Sequence, residues 1–272
     1  MTVTRFAPSP TGYLHLGHAF AAAQAASAGT RFLLRIEDLD QGRAREEFVA
    51  AIFEDLRWLG LRWEEPVMRQ STRMDAYRAA LTRLQKEELL YPCFCSRAEI
   101  EDEIARAAEA PLGPDGPLYP GTCRHLDYKD VVARIASGAV YSLRLDVTKA
   151  AKRAGPLTFR EHDAVVQVDP SRFGDLILAR KDVPASYHLA VVVDDAFQGV
   201  DLVTRGEDLL PAAHVQRLLQ KLLGLPEPAY AHHRLILDDQ GRKFSKRDQA
   251  VTLRALRQGG AEPAAILKRI GL

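Results

Sequence analysis

Apolar positions along the chain alternate between short runs and helical stripes. Thr2 to Phe6 reads as a short strand that stops at Ala7 to Gly12, where two prolines and a glycine end regular structure. The alanine-rich stretch Ala19 to Ala26 predicts a helix beginning near His18, and Arg31 to Ile36 predicts a second, buried strand. From Glu46, the spacing of Phe48, Ile52, Leu56 and Leu59 before Gly60 gives a helix with a C-terminal stop. Ser71 to Leu84 gives another, with Met74, Tyr77, Leu81 and Leu84 on one face and Thr72 with Asp75 as a capping pair. From Cys93 to Lys181 the rhythm breaks into a Glu/Ala helix, a Pro/Gly run at Pro111 to Pro120 and short alternating pieces such as Val140 to Asp146. Strand and helix then return. Leu189 to Val193 and Leu202 to Thr204 read as strands, and a helix from near Pro211 to Gly224 carries Val215, Leu218, Leu219 and Leu222 on its apolar side. Strand alternating with helix predicts an α/β fold with a parallel sheet, split by an insertion.

Composition narrows this picture. The chain has 272 residues, 47% of them apolar, enough for a substantial core, and no run of eighteen or more apolar residues. It opens without a basic segment followed by an apolar one, so a soluble, cytoplasmic protein with no membrane partner is expected. Lys plus Arg number 37 against 36 Asp plus Glu, which excludes a polycation and an acidic tail; the basic surplus falls after residue 200. No internal repeat is present. Three cysteines cannot all pair, and Cys93 and Cys95 stand one residue apart, a spacing more typical of metal sites.

Two segments carry candidate chemistry. His15-Leu16-Gly17-His18 stands at the mouth of a predicted helix, where amide groups and the helix dipole attract phosphate and two imidazoles can donate to its oxygens. Gly241 to Arg247 follows the turn-forming Asp238 to Gln240. Its Lys243 and Lys246 are spaced so that a looped backbone can aim both ammonium groups at a polyphosphate, stabilising charge on a leaving pyrophosphate. Taken singly, the first also reads as a loop histidine and a cap, the second as a solvated basic turn.

Together and in this order, the two segments resemble the signature elements of class I aminoacyl-tRNA synthetases, HIGH at His15 to His18 and KMSKS at Lys243 to Arg247, with Phe244 and Arg247 as departures. Arg5 to Gly12, Arg35 to Asp38, Val192 to Asp195 and Arg205 to Asp208 are similar to the glutamyl branch. The resemblance implies an α/β class I fold: a Rossmann-type parallel sheet with an inserted zinc-containing α+β subdomain and a short C-terminal helical segment. Residues 1–92 and 186–240 would be the two halves of the catalytic domain. Residues 93–185 would be an acceptor-binding-like insertion, and residues 241–272 the KMSKS-like loop with a short stem-contacting helical segment. Only 25 residues follow Arg247, so no anticodon-binding domain is expected, and the chain resembles the truncated paralogues of glutamyl synthetases that attach glutamate to the queuosine base of tRNA(Asp).

An amino acid with two carboxylates and one ammonium asks for two cations and one anion, which Arg5, Arg205 and Glu37 can supply, with Ser9 or Tyr187 adding neutral hydrogen bonds. The resemblance implies Arg5, Phe6, Ala7, Pro8, Ser9, Glu37, Tyr187 and Arg205 as the glutamate site, Pro8, His15, Gly17, His18 and Lys246 as the ATP site, and His15, His18, Lys243 and Lys246 as catalytic. The residues leave open which arginine takes which carboxylate. On residue chemistry alone, Arg35 and Glu37 also read as a strand-edge ion pair. The resemblance further implies one structural Zn²⁺ on Cys93, Cys95, Tyr119 and Cys123, whereas coordination chemistry by itself would choose His125 as the fourth ligand.

The expected reaction consumes ATP with Mg²⁺: glutamate attacks the α-phosphate, pyrophosphate leaves, and a queuosine hydroxyl displaces AMP. A monomer is expected, with queuosine-containing tRNA(Asp) lying over the insertion and the basic C-terminal segment and bound more weakly as salt rises. The alternatives are a minimal glutamyl-tRNA synthetase charging tRNA(Glu) and a non-catalytic RNA-binding paralogue.

Overall fold

The computed structural model describes residues 1–106, 111–114, 116–180, 183–237 and 251–272. Its first half runs β1 (Val3–Phe6), α1 (Leu16–Ala28), β2 (Arg31–Ile36), α2 (Glu46–Trp58), β3 (Glu64–Arg69) and α3 (Met74–Lys86). The three strands form a parallel sheet with β2 in the middle, as the alternation of elements predicts. Alternation along each strand sorts its side chains between the two faces. Phe6, Phe32, Leu34 and Ile36 pack against α1 and α2, while Val3 and Leu33 join a separate cluster on the other face. The Thr72–Asp75 cap is not formed. Residues Gln70–Thr72 instead make a 3₁₀ turn in which the Thr72 hydroxyl donates to the Arg69 carbonyl at 2.8 Å, and α3 begins two residues later.

The middle of the chain holds β4 (Leu90–Cys93), α4 (Arg97–Arg106), the small hairpin β5 (Leu112–Gly113) and β6 (Gly116–Pro117), α5 (Tyr128–Ala136), β7 (Ser142–Leu145) and α6 (Val147–Ala154). It continues with β8 (Thr158–Glu161), β9 (Ala164–Gln167) and β10 (Ile177–Ala179). Strands β4, β7 and β10 form an antiparallel sheet of their own. The β8–β9 hairpin belongs elsewhere: although it lies within the stretch expected as the insertion, β8 pairs with a strand of the second catalytic half.

That second half comprises α7 (Tyr187–Gln198), β11 (Leu202–Gly206), α8 (Leu210–Leu222) and β12 (Ala229–His233). Strand order β11-β12-β8-β9 makes a sheet whose β11 packs beside β1, where the Val3 N–H donates to the Asp201 carboxylate at 2.9 Å. Leu189 to Val193, expected as a strand, lies in α7. Ser186 caps that helix by accepting from the Leu189 N–H, Gly199 ends it in the left-handed region at φ 67°, and the segment is apolar because it is buried almost all round. Between these punctuation marks a buried helix and a buried strand carry the same residues.

The chain closes with α9 (Leu253–Gln258) and α10 (Pro263–Arg269), whose Leu253 and Ile266, with Ile270 just beyond, are buried in the same cluster as α1 and α2. Among the described residues no helix is long and apolar enough to cross a membrane.

Candidate functional site

In a doubly wound sheet, ligands bind beyond the carboxyl ends of the strands, where the chain switches sides between neighbouring strands. Here that point lies between β1 and β11, and a cavity of about 690 Å³ opens there. Arg5 and Phe6 of β1, Ala7, Pro8 and Ser9 after it, Glu37 after β2, Tyr187 of α7 and Arg205 of β11 all line this cavity, so the structure brings the eight expected substrate residues together. His18 joins them from α1. The lining also includes residues the sequence reading missed, among them Asp40, Arg43, Gln70, Arg180 and His188.

Beneath the floor lies a buried ion network. Strand alternation puts Arg5 and Arg35 on one sheet face, towards α7, and Asp195 of that helix sits between them. Its carboxylate accepts from Arg5 Nε at 3.0 Å and Nη2 at 3.2 Å, and from Arg35 Nη1 at 2.7 Å. Arg35 also donates to Gln198 at 2.9 Å and to Glu37 at 3.2 Å. The Arg35–Glu37 pair is therefore an interior contact of the central strand, with the Arg35 side chain fully buried, and not a strand-edge pair. Burial works against ionisation of Asp195, yet the two guanidiniums hold its carboxyl below the ordinary carboxylate range. Glu37 goes the other way: burial pushes its carboxyl up, and Arg35 and Arg5 offset only part of that. Asp194-Asp195, two adjacent carboxylates in an otherwise apolar run, stands out in the sequence only as part of the resemblance, and its place in this network is not legible there. Asp194 is as buried as its neighbour and accepts from Tyr77, Gln70 and Arg73 on α3 and the turn before it.

The two expected substrate cations are thus differently committed. Arg5 already shares a carboxylate and donates to the Thr204 carbonyl at 3.2 Å. Arg205, 6% exposed, has no acidic partner among the described residues. Its Nε donates to His232 Nε2 at 3.0 Å and its Nη1 to Gln216 at 2.8 Å and to the Tyr187 hydroxyl at 3.3 Å, while its buried Nη2 has no partner. A buried guanidinium framed by neutral acceptors keeps its charge available to a carboxylate.

At the start of α1, His15 is the N-cap. Its Nδ1 accepts from the Gly17 N–H at 3.1 Å, and His18 Nδ1 accepts from the His15 N–H at 3.2 Å, with the rings 3.8 Å apart. Both bonds need an Nδ1 lone pair, so the proton of each neutral ring is on Nε2, where it can be given to a phosphate oxygen. His15 and Gly17 are next to the cavity-lining His18 in sequence but do not themselves line the cavity. A Cβ on Gly17 would stand 3.0 Å from the His15 ring, so glycine there lets the ring fold back over the helix mouth. Lys243, Lys246 and the rest of Gly241 to Arg247 lie outside the described residues.

A second cluster lies in the middle of the chain. The sulfurs of Cys93, Cys95 and Cys123 are all within 4.8 Å of one another. The Tyr119 hydroxyl is 3.4 Å from Cys93 Sγ and 3.5 Å from Cys95 Sγ. Three sulfurs and one oxygen at such separations fit the corners of a tetrahedron around one Zn²⁺, whose ligand-to-ligand edges are about 3.3–3.8 Å. His125 is not part of the cluster. Burial pushes the Cys95 thiol up to about 11.

Residues 1–272 match the family described as tRNA synthetases class I (E and Q), catalytic domain. The chain is 49% identical to the Glutamyl-Q tRNA(Asp) synthetase of Rhodobacter capsulatus, over 99% of this chain and 100% of that protein. It is 46% identical to the protein of the same name from Nocardia farcinica, over 97% and 81%. In three dimensions it resembles the crystal structure of a glutamate tRNA ligase from Elizabethkingia meningosepticum in complex with its amino acid, with a TM-score of 0.78 and 26% identity. All of this chain superposes there, and it spans 60% of that larger one.

Proposed function

The chain belongs to the class I tRNA synthetases of the E and Q branch and is a ligase, and from that premise we propose that it activates L-glutamate with ATP and transfers it to the queuosine base of tRNA(Asp). The observation that carries the glutamate reading is Arg205, a buried cation without a counter-ion among the described residues, in one cavity with Arg5 and Glu37. A glutamate carboxylate would take the open Nη2 of Arg205, and its ammonium would meet Glu37, whose ionised form a nearby cation favours against the burial that raises it. Transfer to queuosine is supported by the two relatives named for that product, one of them matched along its whole length.

The chemistry needs no protein nucleophile. A glutamate carboxylate oxygen attacks the α-phosphorus of ATP and pyrophosphate leaves; a hydroxyl of the queuosine ring then attacks the acyl carbon and AMP leaves. Catalysis would come from holding the reactants together and balancing phosphate charge: the α1 N-terminus with His15 and His18, and Lys243 and Lys246 on the pyrophosphate side, with Mg²⁺ accompanying ATP. Zn²⁺, held by Cys93, Cys95, Tyr119 and Cys123, would tie the 119–123 loop to the end of β4; a closed four-ligand site supplies shape and not reactivity.

The test is transfer of labelled glutamate, with ATP and Mg²⁺, to tRNA(Asp) with and without queuosine and to tRNA(Glu). Label on queuosine-containing tRNA(Asp) alone is expected. Label on tRNA(Glu) would make the protein a minimal glutamyl-tRNA synthetase, and label on neither, without pyrophosphate exchange, would leave an RNA-binding paralogue.

A further inference from the structure

The groups holding Arg205 fix more than its position. A guanidinium nitrogen only donates, so His232 Nε2, 3.0 Å from Arg205 Nε, must present a lone pair. A carboxylate only accepts, so His232 Nδ1, 2.6 Å from Glu161 Oε2, must carry the proton. The other Glu161 oxygen accepts the His232 backbone N–H at 2.9 Å, and His162 reaches the His232 carbonyl at 2.9 Å, so the ring is pinned from the backbone as well. Burial and the adjacent Arg205 hold His232 down to about 4, against the pull of Glu161.

Glu161 and His162 stand at the tip of the β8–β9 hairpin, the piece of the middle segment that leaves its neighbours to pair with β12. That excursion brings a carboxylate one imidazole's length from the substrate cation. Placed directly on Arg205, a carboxylate would occupy the fork a substrate carboxylate needs. Placed behind a neutral imidazole, it orients Arg205 without pairing with it, as outer partners orient inner ones in other sites.

We infer that Glu161 and His232 are positioning residues for substrate: the pair locks the imidazole with its proton on Nδ1 and so holds Arg205 in place with its charge left for the substrate carboxylate. The inference rests on the reading that Arg205 receives a carboxylate of glutamate.

Two measurements on the full-length protein test it. ¹⁵N NMR of histidine-labelled protein should show His232 neutral with the proton on Nδ1; a proton on Nε2, or an imidazolium, overturns the inference. In glutamate-dependent pyrophosphate exchange, Glu161→Gln turns an amide N–H₂ towards Nδ1, moves the proton to Nε2 and sets it against Arg205. The KM for glutamate should then rise about tenfold or more while that for ATP stays within about twofold. His232→Leu should behave alike, whereas His232→Gln, whose oxygen can accept from Arg205, should stay within about threefold of wild type. Should His232→Leu not fold, Glu161→Gln and His232→Gln carry the comparison. Unchanged glutamate KM in Glu161→Gln refutes the positioning role. Arg205→Lys is measured alongside: an unchanged glutamate KM there refutes the substrate reading, which the NMR result judges separately from the hydrogen-bond frame.

Discussion

Asp195 is the residue on which the most charge depends, because it neutralises part of Arg5 and Arg35 at once in a buried setting. Asp195→Asn removes the anion and leaves two buried guanidiniums short of charge, which should cost about 3–5 kcal/mol of folding stability, read from urea midpoints. The sign with pH follows from its depressed carboxyl: the stabilisation is complete above the unfolded value, about 3.9, and is lost as pH falls through the lower folded value. Acid unfolding of the wild type should therefore contain a component that Asp195→Asn lacks. Glu37, with its raised carboxyl, runs the opposite way. Its contribution to stability is present below the unfolded value and lost as pH rises through the raised folded value. A substrate ammonium needs it ionised, so glutamate affinity by calorimetry should weaken as pH drops through that range. Glu37→Gln should bind more weakly at neutral pH and show no such limb.

Among the elements, the C-terminal pair makes contacts that the sequence does not announce. Residues 241–272 were expected as a loop and a short helical stem-contacting segment; the helices α9 and α10 lie there, and Leu253 at the start of α9 is fully buried in the cluster of α1 and α2. The Leu253 N–H donates to the Leu14 carbonyl at 2.7 Å, and Thr252 forms a bridge with His15, the cap of α1. Thus α9 braces the loop that sets the His15 and His18 rings. Leu253→Ala should cost about 2–5 kcal/mol by denaturant titration and raise the KM for ATP more than that for glutamate. Equal effects on both would mean that the bracing does not reach the rings. The same scale explains which elements the sequence revealed. Periodicity located α2 because it has a wet face, and α8 because polar residues such as His214, Gln216, Arg217 and Gln220 interrupt its apolar stripe even where they are buried. It could not separate helix from strand in α7, where apolar side chains face protein nearly all round, and only the Ser186 cap and Gly199 stop decide the matter.

Across the whole molecule, the sulfur cluster and the cavity are separate sites: none of Cys93, Cys95, Tyr119 and Cys123 lines the cavity. Purified protein should carry one zinc per chain, and Cys95→Ala should abolish it. Metal loss should leave glutamate-dependent pyrophosphate exchange within about twofold of wild type while lowering transfer to tRNA, since a closed zinc site contributes local structure. Loss of both activities together would mean that the cluster supports the catalytic sheet as well.

The sequence by itself determined the alternation of strand and helix, the His15 to His18 turn at a helix mouth and, through the resemblance its motifs carry, eight residues that line one cavity. These are local matters: periodicity, punctuation and short motifs act over a few residues. The tertiary structure alone decided that Arg5 is shared with Asp195, 190 residues away, and that Arg205 has no counter-ion among the described residues and leans on a hairpin from the middle of the chain. It also set the Tyr119 hydroxyl beside the sulfurs of Cys93 and Cys95. Charge pairing and ligand geometry depend on which side chains are carried to the same buried point, and strand order, not neighbouring sequence, carries them there.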